Sequence, residues 1–194
     1  MAFLENIDIF IFNFFAATPQ TPTLIAYLGI VCAKFLIYFI PFHLIILWFF
    51  GGRGERQAAL SIVISVAVAL LLSFIIGQLC YRPRPFVAGI VKALIEHKEN
   101  ASFPSNHALI FTIYVFSLYW YRYKQVARIG LVLGLLTCWG RVFTGVHYPS
   151  DIFGGIVLGL VISMIVARFL MPFVPKFIYE LPYSPKGRGT DLQA

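Results

Sequence analysis

Between two apolar runs lies the stretch WGRVFTGVHYPSDIFGG, which sets Arg141, His147 and Asp151 within eleven residues. Two more polar clusters precede it, RPRP at 82–85 and PSNH at 104–107. Together they bring two histidines, three arginines and one aspartate to the ends of apolar runs. Arginine forks match phosphate oxygens two at a time. Ser105 is placed to cap a helix whose first-turn N–H groups bind an anion. Asp151 follows His147 by four residues, so at the start of a helix its carboxylate can reach back to the imidazole. A carboxylate on one ring nitrogen sets the tautomer and leaves the other nitrogen as a nucleophile. His107 is then available as the general acid for a leaving group. The set reads as phosphoryl transfer through a phosphohistidine.

A metal centre fits these residues less well. The three clusters hold no His-x₃-His pair and no glutamate, and neighbouring arginines repel a cation. No metal and no cofactor are expected. Of the remaining histidines, His43 lies inside an apolar run and reads as a satisfied core residue. His97, in EHKE, reads as a solvated surface residue.

The elements that must hold these clusters are membrane elements. The chain of 194 residues is 60% hydrophobic and 12% charged, against about a quarter charged in soluble domains. Its apolar residues come in blocks long enough to cross about 30 Å of hydrocarbon. Residues 3–17 are too short for a span and predict an interfacial or half-inserted helix, the whole N-terminal element being 1–22. Spans are expected from about 24 to 50, 58 to 79, 106 to 121, 129 to 143 and 152 to 173, with a kink near Pro41. RYKQVAR reads as a polar turn between two of them. The fold class is therefore all-α: a polytopic bundle of about five spans plus the short first helix, in one domain over 1–194. Segment 86–103 lies on the outer face, as a lid or as an interfacial surface helix. The tail, 175–194, is rich in Pro, Gly and polar residues and reads as mobile and cytoplasmic.

The net charge of +7 does not imply nucleic acid, because the basic residues cluster at span ends without interleaved aromatics. Arg53, Arg56, Arg122, Lys124, Arg128, Arg168, Lys176, Lys186 and Arg188 fall on one side, which should be cytoplasmic. The three polar clusters fall on the other. Polar groups at membrane depth are costly and are functional candidates by default. Cys32, Cys80 and Cys138 form neither a disulfide framework nor a zinc site. The start lacks the basic region of a cleavable signal peptide.

The three clusters resemble the motifs of the type 2 phosphatidic acid phosphatase (PAP2) superfamily: Lys-x₆-Arg-Pro, Pro-Ser-x-His and Ser-Arg-x₅-His-x₃-Asp. The matches are Arg84–Pro85, PSNH at 104–107, and Arg141 to Asp151. The resemblance implies His147 as nucleophile, Asp151 as its orienting carboxylate and His107 as proton donor. It implies Arg84, Arg141 and Ser105 as holders of the phosphoryl oxygens, with Arg82 beside them. Two positions depart from the pattern. Gly77 stands where the family has lysine, and Gly140 where it has serine. Arg82, Gln78 or Lys34 are the candidates to replace the missing lysine.

Within the superfamily the chain resembles the short bacterial undecaprenyl-diphosphatases of the bacitracin-resistance type, through LENIDIFIFNFFAATPQTP, AKFLIYFIP and CYRPRPF. That resemblance implies release of phosphate from a lipid carrier diphosphate on the outer face of a bacterial inner membrane. The expected partners are that lipid and the surrounding membrane lipids. The alternatives are a phosphatase for phosphatidylglycerophosphate or phosphatidic acid, a lipid A phosphotransferase, or a non-catalytic membrane protein.

Overall fold

The computed structural model describes residues 2–180, with side chains from residue 5. Seven α-helices follow one another there: α1 (Ala2–Phe15), α2 (Thr23–Lys34), α3 (Phe39–Phe50), α4 (Arg53–Leu79), α5 (Asn106–Trp120), α6 (Lys124–Phe143) and α7 (Pro149–Ile165). A π-helical turn (Val166–Leu170) and two short 3₁₀ turns complete the chain to Ile178, and the described residues contain no strand. Of the expected tail, residues 181–194 lie outside the described residues; Lys176–Ile178 forms the last 3₁₀ turn.

Pro41 governs the first long apolar run. It is the third residue of α3, where its missing N–H has no intrahelical partner to lose. Its ring clashes with the carbonyl four residues earlier, that of Ile37. The chain answers with a 3₁₀ turn at Leu36–Tyr38, so α2 and α3 form one broken span, Thr23–Phe50. The expected kink is there, a few residues ahead of the proline that causes it.

Among the described residues, four helical segments are long and apolar enough to cross a membrane: Thr23–Phe50, Arg53–Leu79, Lys124–Phe143 and Pro149–Phe173. The fifth expected span, α5, has 15 residues, which is about 22 Å of helix. It is the axis of the bundle, with Leu109, Phe111, Ile113, Tyr114 and Leu118 all buried. α4, α6 and α7 surround it. Close packing around it uses small residues, as membrane helices do where no hydrophobic gradient drives them together. A Cβ on Gly159 would stand 2.7 Å from the Leu109 carbonyl oxygen, so α7 can approach the α5 backbone only through glycine. Phe42, Phe49, Phe74, Leu135 and Phe153 point outward as a lipid-facing surface.

Helix ends are where hydropathy reads poorly. KQVAR, expected in a turn, is the first part of α6, and the turn is only 121–123. Likewise α4 starts at Arg53, five residues before its apolar run. Polar residues extend both helices beyond the hydrocarbon, where no periodic signal marks them. Segment 86–103 is irregular rather than helical. It is fastened to the bundle: Leu94 N–H donates to the Thr144 carbonyl at 3.1 Å, and Ile95 packs with Ala33 and Val146.

Candidate active site

The end of α4, the start of α5, the end of α6 and the start of α7 come together at one end of the bundle, with segment 80–105 laid across them. A cavity of about 440 Å³ opens there, lined by Gln78, Arg84, His97, Asn100, His107, Arg141 and His147 among others. A larger one, about 610 Å³, opens at the opposite end beside Gln57, Trp120 and Arg168. It contains none of the residues the sequence singles out for chemistry.

Asp151 is fully buried in the first turn of α7, where the helix dipole favours a carboxylate. Its Oδ2 accepts from Tyr148 N–H at 2.8 Å and from Ser102 Oγ at 2.5 Å, and stands 3.6 Å from His147 Nδ1. Its Oδ1 accepts from Arg82 Nη1 at 2.8 Å. Arg82 also donates through Nη2 to Asp8 Oδ2 at 2.6 Å, and its guanidinium lies 3.9 Å from the centre of the Tyr148 ring. Asp8 accepts from the Ser150 N–H at 2.9 Å, tying α1 to α7. These two carboxylates hold the pKa of Arg82 above its ordinary value, against the burial that would lower it.

Arg84 is fixed differently. Nε and Nη2 donate to Asn100 Oδ1 at 3.2 and 3.0 Å, Nη2 to the Ala101 carbonyl at 3.1 Å, and Nη1 to the Val146 carbonyl at 2.8 Å. Nη1 lies 3.2 Å from His147 Nε2. Burial lowers the Arg84 pKa to about 10, with Asp151 opposing, so it stays a cation at neutral pH. Arg141 is almost wholly buried. Its Nη1 donates to the Ala33 carbonyl at 3.4 Å, while Nε and Nη2 have no hydrogen-bond partner among the described residues. An isolated buried guanidinium costs several kcal/mol. A bound anion is the natural compensation.

Burial first, then Arg141 and Arg84, push the His147 pKa down to about 3, with Asp151 opposing. The imidazole is therefore neutral at pH 7. Asp151 Oδ2, 3.6 Å from Nδ1, favours the proton on that nitrogen, and Nε2 offers its lone pair toward Arg84 Nη1 at 3.2 Å. His107 lines the same cavity from the first turn of α5. A neutral nucleophile, an orienting carboxylate, two cations and a second imidazole around one cavity suit phosphoryl transfer.

The expected set is partly regrouped. His147, His107, Arg84, Arg141 and Gln78 line the cavity, with Asp151 behind His147. Ser105 is the N-cap residue of α5, but its Oγ is buried without a partner and caps no N–H. Its N–H donates instead to the Asp151 carbonyl at 3.0 Å. Arg82 is not among the cavity-lining residues; its guanidinium is committed to two carboxylates. Lys34, exposed at the end of α2, does not line the cavity either. Of the two departures from the family pattern, the one at Gly140 has a steric reason. A Cβ on Gly140 would stand 2.7 Å from Ala33 N, because α6 meets the α2 backbone there. Gly77 lines the cavity, and a Cβ there would stand 3.1 Å from Ala101 Cβ, a contact that a shift of a few tenths of an ångström relieves.

Four polar partners lay outside the sequence reading as site residues: Asp8, His97, Asn100 and Ser102. His97, expected on the surface, is half-buried in the cavity wall, its ring centre 6.4 Å from that of His147. A proline-rich link followed by a polar segment returning to PSNH was the one available signal. It does not say which side chains turn inward.

The fold and the site are those of a membrane-embedded phosphoryl-transfer family, and the chain belongs to the PAP2 superfamily, whose profile matches residues 58–174. It is 36% identical over 159 residues to YbjG of Escherichia coli (strain K12), covering 81% of this chain and 80% of that one. It is 35% identical over 137 residues to undecaprenyl-diphosphatase BcrC of Bacillus subtilis (strain 168), covering 68% and 69%. Among solved structures, Aquifex aeolicus LpxE superposes with a TM-score of 0.65 at 19% identity, over 82% of this chain and 93% of the other. The PAP2-type phosphatidylglycerolphosphate phosphatase of Bacillus subtilis gives 0.60 at 21%, over 89% of each. At those identities the likeness is one of fold.

Proposed function

We propose that the chain hydrolyses undecaprenyl diphosphate to undecaprenyl phosphate and inorganic phosphate, on the outer face of a bacterial inner membrane. The observation that carries the chemistry is the pair of unpartnered Arg141 nitrogens beside a neutral His147 in one cavity. The substrate rests on the likeness to BcrC. The outer-face assignment rests on the basic residues at the opposite end of the bundle.

In this reading Arg84 and Arg141 hold the terminal phosphoryl oxygens and neutralise charge as it develops. His147 Nε2 attacks phosphorus in line. A P–N bond forms and the bond from phosphorus to the bridging oxygen breaks. Burial first, then Arg141, hold the His107 pKa down to about 3 in the free site; the anionic phosphates of the bound substrate oppose both and let the ring take a proton, which it delivers to that oxygen as undecaprenyl phosphate departs. Water, giving its proton to His107, then attacks the phosphohistidine. The P–N bond breaks, and phosphate and neutral His147 are released. Asp151 holds the ring and balances its positive charge while the P–N bond exists. Ser102 and Tyr148 N–H keep that carboxylate in place.

The test is phosphate release by the purified protein from undecaprenyl diphosphate, with phosphatidic acid and phosphatidylglycerophosphate alongside, all in excess chelator. The expected result is preferential release from undecaprenyl diphosphate, undiminished by chelator. Faster release from phosphatidylglycerophosphate would reassign the substrate. Activity restored only by one divalent ion would overturn the metal-independent chemistry.

A further inference from the structure

His97 has a defined tautomer. Its Nδ1 lies 3.0 Å from the Lys98 carbonyl oxygen, which can only accept, so Nδ1 carries the proton. In the neutral ring Nε2 is then a lone-pair acceptor, and no described residue donates to it. The segment that carries it is pinned on both sides, by the Leu94–Thr144 bond before it and the Asn100–Arg84 bonds after it. The ring forms part of the wall of the catalytic cavity. Burial, with Arg84 and Arg141 adding to it, holds its pKa down to about 4, so it does not become a donor near neutrality.

Around the cavity, His147 Nε2 is reserved for phosphorus, while Gln78 and His107 can each donate or accept. Arg84 and Arg141 only donate. Asn100 Oδ1 is taken by Arg84, and Asn106 Oδ1 accepts from Ser73 at 2.6 Å. A fixed lone pair facing an oxyanion repels it unless that oxygen carries a proton. Sites built around one polar group discriminate strongly against ligands that cannot pair with it.

We propose that His97 reads the proton on the phosphoryl ligand: its Nε2 accepts a hydrogen bond from a protonated oxygen of the phosphate held by Arg84 and Arg141. The cavity thereby selects a proton-bearing phosphate over a fully ionised oxyanion of the same shape. The inference rests on the phosphatase reading for its biological use, but its test does not need turnover.

The test is isothermal titration of the purified full-length protein with inorganic phosphate and with sulfate, both at pH 7. Every phosphate ion carries at least one proton at that pH, and sulfate carries none. The charged and titratable groups around His97, namely Arg84, Arg141, His107, His147 and Lys98, are the same for both anions. Wild-type protein should bind phosphate at least about tenfold more tightly than sulfate. His97→Gln, whose amide turns to donate or accept, should bring the two within about threefold by improving sulfate. His97→Leu should reach a similar ratio by weakening phosphate. If His97→Leu does not stay monodisperse, His97→Gln decides. Arg141→Leu should weaken both anions and keep the wild-type preference. Equal binding of the two anions by wild type, binding of neither, or an unchanged preference in His97→Gln would overturn the inference. Failure of wild type to release phosphate from any lipid phosphate would instead sink the functional reading and leave the anion preference standing.

Discussion

Arg82 and Arg84 are two residues apart in one short link, yet they live in different electrostatic worlds. Arg82 lies between Asp8 and Asp151, with one ion pair to each, at 2.6 and 2.8 Å. Arg84 meets no carboxylate directly; it is held by carbonyl and amide oxygens and turned toward His147. Arg141, across the cavity, keeps two nitrogens unpartnered. One region spends its positive charge on the protein, and the other leaves it for a ligand. A guanidinium between two carboxylates is a strut; one held by neutral oxygens is a binding group. Asp151 belongs to both regions, since one oxygen faces Arg82 and the other faces His147.

The sharpest way to break this contrast is to remove the group that the binding region serves. His147→Ala should lower kcat by at least about 10⁴-fold. Acid-labile labelling by radiolabelled substrate should vanish with it. Substantial activity in that variant would remove the covalent mechanism. Asp151→Asn should come next, with a loss of about 10³-fold in kcat, little change in substrate binding, and similar slowing for good and poor leaving groups. His107→Ala should be less damaging on p-nitrophenyl phosphate, if that compound is accepted, because a good leaving group needs no proton. The opposite pattern in these two variants would exchange their roles.

Smaller effects separate the two arginine regions directly. Arg141→Leu should cut kcat/KM by about 10²-fold while leaving Tm unchanged or higher, because an uncompensated buried cation is removed. Arg82→Leu should do the reverse, costing about 2 kcal/mol of stability and less than about tenfold in activity, since it strips two carboxylates of their partner. Equal changes in Tm would mean the two regions do not differ as their geometry indicates. The last test is on pH. His147, His107 and His97 have folded pKa values of about 3, 3 and 4, below the ordinary 6.5. The unfolded chain therefore binds more protons as pH falls below about 6.5, and stability should decline progressively toward pH 4. Thermal scans should show a shallower decline in His97→Gln.

The cavity set was legible because its chemistry is written locally. His147 and Asp151 must be four apart on a helix start, and Arg84 is tied to its proline. Gln78, Ser105 and Arg82 were harder, since the same residue types at span ends also cap, cover or pair. Arg82 is paired by Asp8, which stands 74 positions away on α1, and no local pattern reports that distance. His97, Asn100 and Ser102 lie in a segment without helical or strand periodicity, so the sequence shows composition there but not direction. The break before α3 was readable from Pro41, whereas the polar start of α6 was not, because hydropathy falls silent outside the hydrocarbon.

The tight seam between α6 and α2 has a consequence for how this chain can change. Gly140 cannot regain the serine of the family pattern by one substitution, because the added carbon would meet the Ala33 backbone at 2.7 Å and the Gly29 carbonyl oxygen at 3.0 Å. α2 would have to retreat at the same time, taking with it the Ala33 carbonyl on which Arg141 rests. The missing hydroxyl is thus locked out by a neighbouring helix. Engineering the site toward its relatives has to begin in α2, in residues that no catalytic motif includes.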